Sequence, residues 1–111
     1  MKNKYLACGL NFDLINSSYP DMDEYEKILH IFLEDEFFID LKSFLEKEDY
    51  AMAKDATKGL YVLASELKLF ELYMALIDIY EDIESENYKE LLSDYEKMIV
   101  IHSRIKGVFT C

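Results

Sequence analysis

Apolar side chains recur every three or four positions along this chain, the spacing that gathers them on one face of a helix. Tyr25, Ile28, Leu29, Phe32 and Leu33 form the first stripe of a run that starts at Met22. After the acidic break Glu34-Asp35-Glu36, Phe37, Phe38, Leu41, Phe44 and Leu45 resume it. The pattern leaves open whether this run is one helix or two. Upstream, residues 11–18 predict a short helix that stops by Pro20, because the residue before a proline is pushed out of the α region. Asp21 followed by Glu24 has the capping-box spacing of a helix start.

Lys47-Glu48-Asp49 is the next break. Beyond it, Ala53, Ala56, Leu60, Leu63, Ala64 and Leu67 predict one buried helical stripe, and Leu69, Leu72, Leu76, Ile79 and Ile83 predict another. The second of these helices also carries Phe70, Tyr73, Met74, Ile77 and Tyr80, so it is apolar on more than one side. Glu84-Ser85-Glu86-Asn87 reads as a turn. The last helix holds Leu91, Leu92, Tyr95, Met98, Ile99, His102 and Ile105, with Gly107 expected to end it. Four amphipathic helices joined by short polar breaks predict an all-α protein. The expected arrangement is an up-and-down antiparallel four-helix bundle with a short extra N-terminal helix.

Composition narrows this picture. The 111 residues suit one domain, 1–111, since single cores typically span roughly 50–200 residues. Three Gly and one Pro are too few turn-formers for a β-rich domain. With 23 acidic against 12 basic residues, the formal charge of −11 repels phosphate backbones and anionic lipid. Nucleic acid and membrane are therefore not expected as partners, and no window nears the ~18–20 apolar residues of a membrane span. Leu6-Ala7-Cys8-Gly9 looks like a lipoprotein cleavage box, but the apolar stretch before it is too short for a secretory signal. The expected location is the cytoplasm. Cys8 and Cys111 sit at opposite ends with no Cys-x-x-Cys spacing, so no zinc or redox motif is supported. Two free thiols are favoured over a terminal-to-terminal disulfide.

Helical phase singles out residues 50–67. At 100° per residue the apolar stripe leaves Lys58 almost diametrically opposite, flanked by Lys54, Tyr61, Val62 and Ser65. Two lysines make a small basic island on an acidic protein. His30 is expected on the surface. His102 falls on the apolar stripe of the last helix and is expected to be partly buried and hydrogen-bonded. The carboxylate runs Glu34-Asp35-Glu36 and Glu81-Asp82-Glu84-Glu86 read as solvated turns, because the Glu-x-x-His pairs of a di-iron bundle are missing. No Gly-rich phosphate loop, Gly-x-Ser-x-Gly elbow or His-Glu-x-x-His motif occurs, and no cofactor or metal is expected.

The run Phe32-Leu33-Glu34-Asp35, then Asp49-Tyr50, Ala53, Ala56, Leu60, Ala64, Leu67, Leu69, Leu72 and Tyr73, resembles a histidine-containing phosphotransfer domain. The resemblance spans about residues 9–105, mostly through packing positions. It implies a small helical bundle that works with receiver domains in two-component phosphorelay signalling. The family motif is roughly Ala-His-x-Leu-Lys-Gly, with a further glycine in the next turn. In the ungapped register Lys58 stands in the place of the phosphorylated histidine. Tyr61 replaces the motif lysine, Val62 the glycine after it, and Lys68 the later glycine. A register shifted by three would match Lys58-Gly59 literally and put Asp55 in the histidine position, but it breaks the matches at Leu67, Leu69 and Leu72.

Neither register supplies a histidine. Taking a phosphoryl group from an aspartyl phosphate needs a free lone pair, which neutral imidazole has and a lysine ammonium of pKa near ~10.4 lacks. The expectation is a non-enzymatic, non-phosphorylatable module that binds a receiver domain or sensor kinase through Lys54, Lys58, Tyr61, Val62 and Ser65. Lys58 would reach toward the acidic pocket of the receiver. Two other readings stay open. One is an active phosphotransfer protein using His30 or His102. The other is an unrelated interaction bundle that self-associates through the aromatics of residues 70–80.

Overall fold

The computed structural model describes residues 2–109, and all the regular structure among them is helical. In chain order the elements are α1 (Lys2–Ala7), α2 (Phe12–Ser18), α3 (Met22–Leu33), α4 (Phe37–Glu46), α5 (Tyr50–Glu66) and α6 (Phe70–Glu84). A single 3-10 turn (Tyr88–Glu90) then leads into α7 (Leu91–Phe109). Helix α5 packs on α4 and α6, α6 packs on α7, and α7 is also covered by α3 and α4. Cys111 lies outside the described residues; Cys8 is a buried free thiol.

Local chemistry explains most boundaries. The Asp21 carboxylate accepts from Glu24 N at 3.1 Å and starts α3, and the Asp49 carboxylate accepts from Met52 N at 3.2 Å and starts α5. The run from Met22 is two helices, because α3 stops at Leu33 and the Asp35 side chain caps the entry to α4 by accepting from Phe37 N at 2.9 Å. Helices α4, α5 and α6 all end the same way. Glu48, Lys68 and Glu86 take φ of 58°, 62° and 58°, and in each case two backbone N–H groups turn back to the last helical carbonyls. That left-handed step gives three-residue connections after α4, α5 and α6. Gly9, at φ 80°, makes the same turn between α1 and α2.

The ends of α3 and α5 are closed by side chains from elsewhere in the chain. Tyr19 and Tyr25 donate their hydroxyls to the carbonyls of Glu66 and Leu67, at 2.8 and 2.7 Å. His102 does the same for Leu33. These carbonyls have no intrahelical donor, so the bonds to Leu67 and Leu33 each satisfy a buried acceptor, while the Tyr19 bond to Glu66 is exposed.

Several details differ from the periodicity. The N-terminal residues form a helix of their own, α1, whose Tyr5 is fully buried and donates to Glu26 Oε2 at 2.6 Å. Gly107 does not end α7, which runs on to Phe109, and the Phe109 ring packs edge-on against Tyr5. Ile28 and Leu63 lie at the margins of their stripes and are each 42% exposed. Phe37 and Leu92 are also exposed. Thr57, at the opposite margin of the α5 stripe from Leu63, is fully buried, and its hydroxyl donates to Ala53 O at 2.6 Å. The spacing of Thr57, four after Ala53 and three before Leu60, contains that signal.

Candidate functional site

Helix α5 is the element on which the candidate residues converge. Its buried stripe is Ala53, Ala56, Thr57, Leu60 and Ala64. Three of these are alanines, and short side chains let α4 and α6 approach the backbone closely on either side. Burying that stripe fixes the rotation of the helix. Lys58, Asp55, Gly59 and Val62 are therefore turned to solvent. Space beside Gly59 is open, with nothing within 4 Å of where a Cβ would stand.

The five residues of the candidate face separate into two groups. Lys58 and Val62 are exposed, and Lys58 makes no hydrogen bond or ion pair among the described residues. Lys54, Tyr61 and Ser65 are half-buried on the flank toward α6. Lys54 Nζ lies 2.6 Å from Glu84 Oε1 and 5.7 Å from the centre of the Tyr80 ring. Tyr61 meets Tyr73 and Tyr80 edge-on, with ring centres 5.9 and 5.4 Å apart. These contacts seal the α5–α6 seam. The basic island thus narrows to Lys58, since the charge of Lys54 is already answered.

Electrostatics agree with the pairing. The hydrogen bond to Glu84 holds the Lys54 ammonium above the ordinary lysine range. The Glu84 carboxyl is held low, first by Lys54 and then by the Tyr80 hydroxyl. The Lys54 and Glu84 side chains keep 40% and 46% of their surface exposed, so solvent screens the pair and it adds little to stability.

The two histidines lie elsewhere. His30 is exposed on α3, and His102 is buried on α7 with Nε2 2.8 Å from Leu33 O. Desolvation pushes the His102 imidazole below its ordinary pKa, against the pull of its hydrogen bond to Leu33. Of the aromatics in residues 70–80, Phe70 alone is exposed; Tyr73 and Tyr80 are half-buried against Tyr61.

Among the described residues, no three His, Cys, Asp or Glu side chains gather so as to hold a metal ion, and no helix is long and apolar enough to cross a membrane. Sequence reasoning missed Asp94. Its Oδ2 is buried without a donor near Asp82 of α6. Position 94 falls three after Leu91 and four before Met98, on the flank of the buried stripe of α7, and that spacing was the available signal.

No family model, no curated protein and no solved structure matches this chain.

Proposed function

We propose that this protein is a phosphotransfer-like module that binds a receiver domain of a two-component system without accepting its phosphoryl group. In this reading α4 to α7 form the up-and-down antiparallel four-helix bundle, α5 carries the docking face, and the protein acts in the cytoplasm beside a receiver or sensor kinase. The observation that carries the proposal is the placement of Lys58. It is exposed on the outward face of α5, without an ion pair among the described residues, where the family resemblance puts the phospho-accepting histidine.

The backbone supports the ungapped register. Ten residues after Lys58, where the family has a glycine, Lys68 takes the left-handed conformation that glycine adopts most readily. The shifted register would put that glycine at Ser65, which lies within α5. Chemistry supplies the other half. A lysine ammonium has no lone pair for attack on an aspartyl phosphate, yet it complements the carboxylates of a receiver pocket. Val62, exposed one turn beyond Lys58, adds a branched side chain where glycine would let a partner approach.

The test is binding of the full chain to a panel of receiver domains, with and without phosphorylation. Wild-type protein should bind a receiver and take up no acid-labile label from it. Lys58→Glu should abolish binding while leaving the helical circular dichroism unchanged. Unaltered affinity in that variant overturns the docking face. Acid-labile label that disappears on replacing His30, the exposed histidine, overturns the non-transferring reading. Gain of transfer in a Lys58→His, Val62→Gly double variant would support the assigned register.

A further inference from the structure

The junction of α6 with α7 holds a group of carboxyls that the docking face does not use. Asp78 and Asp82 are one turn apart on α6, and Asp94 lies near the start of α7. Asp94 Oδ2 is shut away from solvent and meets no N–H donor among the described residues; the group it faces is the Asp82 carboxyl. Asp82 is itself half-buried, and its Oδ1 accepts from Asn87 Nδ2 at 3.3 Å. Ionised carboxylates only accept hydrogen bonds, so two that face one another are held together only when one keeps its proton and donates it.

We propose that Asp82 and Asp94 share one proton and act as a pH-operated latch between the end of α6 and the start of α7. With the proton in place, the O–H···O bond ties α7 to α6 across the 3-10 turn. Without it, two negative charges face each other with Asp78 close by, and the corner from Glu84 to Leu91 loses its clamp.

The charged groups around the latch favour the proton. Asp78 and Asp82 act on Asp94 from α6, and Lys97 acts on it from its own helix. On the side of α7 covered by α4, Glu46 acts on Tyr95, the residue after Asp94. At the α3–α4 corner Glu34 acts on His102, two turns further along, with Lys106 of α7 beside it. Lys97 is the single cation acting on Asp94 in this set. Burial first, then Asp82 and Asp78, push the Asp94 carboxyl up to about 7, so the proton is lost near neutrality. A carboxyl held higher in the folded than in the unfolded chain stabilises the fold fully below its unfolded value of 3.8, and that stability is lost as pH rises through about 7.

The test compares thermal unfolding of the full-length wild type, Asp94→Asn and Asp82→Asn between about pH 5 and about pH 8. Asparagine keeps the size of the side chain and supplies a permanent donor. The midpoint of the wild type, measured relative to Asp94→Asn, should fall by roughly 4–8 °C across that range, and Asp82→Asn should give the same trend because the pair titrates as a unit. A difference that stays constant with pH overturns the latch. Difference infrared spectra of the wild type provide a readout that needs no variant to fold. A protonated carboxyl band should be present at about pH 6 and vanish by about pH 8, and its absence at the lower pH also overturns the proposal.

Discussion

His102 Nε2 lies 2.8 Å from the carbonyl oxygen of Leu33, a contact between residues 69 apart in sequence that fastens α7 to the last turn of α3. A carbonyl only accepts, so the proton of this imidazole sits on Nε2, and its ring lies 4.0 Å from that of Phe38. The histidine is a structural cap for α3.

Its removal should be felt as stability. His102→Ala empties a buried site and orphans the Leu33 carbonyl, and should destabilise the protein by about 2–3 kcal/mol in urea unfolding near neutral pH. The folded-state pKa of His102 is depressed by burial. Its contribution is therefore present above the unfolded value of ~6.5 and lost as pH falls through the lower folded one. The gap between wild type and His102→Ala should narrow at mildly acidic pH; a gap that widens there would contradict the neutral, Nε2-protonated ring.

Lys68 occupies a conformation better suited to glycine, with φ at 62°. Lys68→Gly should stabilise the protein by about 0.5–1 kcal/mol, through relief of the Cβ clash at the left-handed position. The same exchange at an ordinary helix-interior position would have the opposite sign. A loss of stability on Lys68→Gly, measured by denaturant midpoint, would show that the α5–α6 turn is not as described.

Leu60 and Leu63 belong to one sequence stripe but have different surroundings. Leu60 is 1% exposed and Leu63 is 42% exposed. Leu60→Ala should cost about 2–5 kcal/mol, as expected for a buried leucine that leaves a cavity, whereas Leu63→Ala should cost under about 1 kcal/mol. Equal costs would mean that Leu63 is covered in solution.

The Tyr25 hydroxyl donates to Leu67 O at 2.7 Å from a fully buried ring. Tyr25→Phe keeps the ring and deletes the donor, which should cost about 1–2 kcal/mol and selectively raise amide exchange at the end of α5. Exchange that is unchanged at residues 66–69 would separate this bond from the stability of that helix end.

By itself the sequence determined the all-helical class, most helix breaks and most of the core. A period of three to four residues, Asp at N-caps and acidic breaks are local signals, and the physics they report is local as well. Tyr25, Leu29, Leu60, Leu72, Leu76, Ile79 and Met98 lie buried where that period puts them. The stripe margins were not legible, because whether Leu63 or Thr57 is covered depends on which neighbour lies alongside α5. The split between α3 and α4 was left open by the three-to-four spacing alone, although at 100° per residue Phe38, Leu41 and Leu45 fall nearly opposite Tyr25, Leu29 and Phe32, a phase change that one straight helix could not bury on one side. Only tertiary structure decided that Lys54 answers Glu84, thirty positions away, leaving Lys58 as the cation of the candidate face with no ion pair among the described residues. It also decided that Asp82, one of a run that reads as a solvated turn, is half-buried beside Asp94, whose Oδ2 is shut away from solvent. Helical periodicity fixes the face a side chain occupies, but the partner it meets and the charge state it keeps depend on how the helices are set against one another.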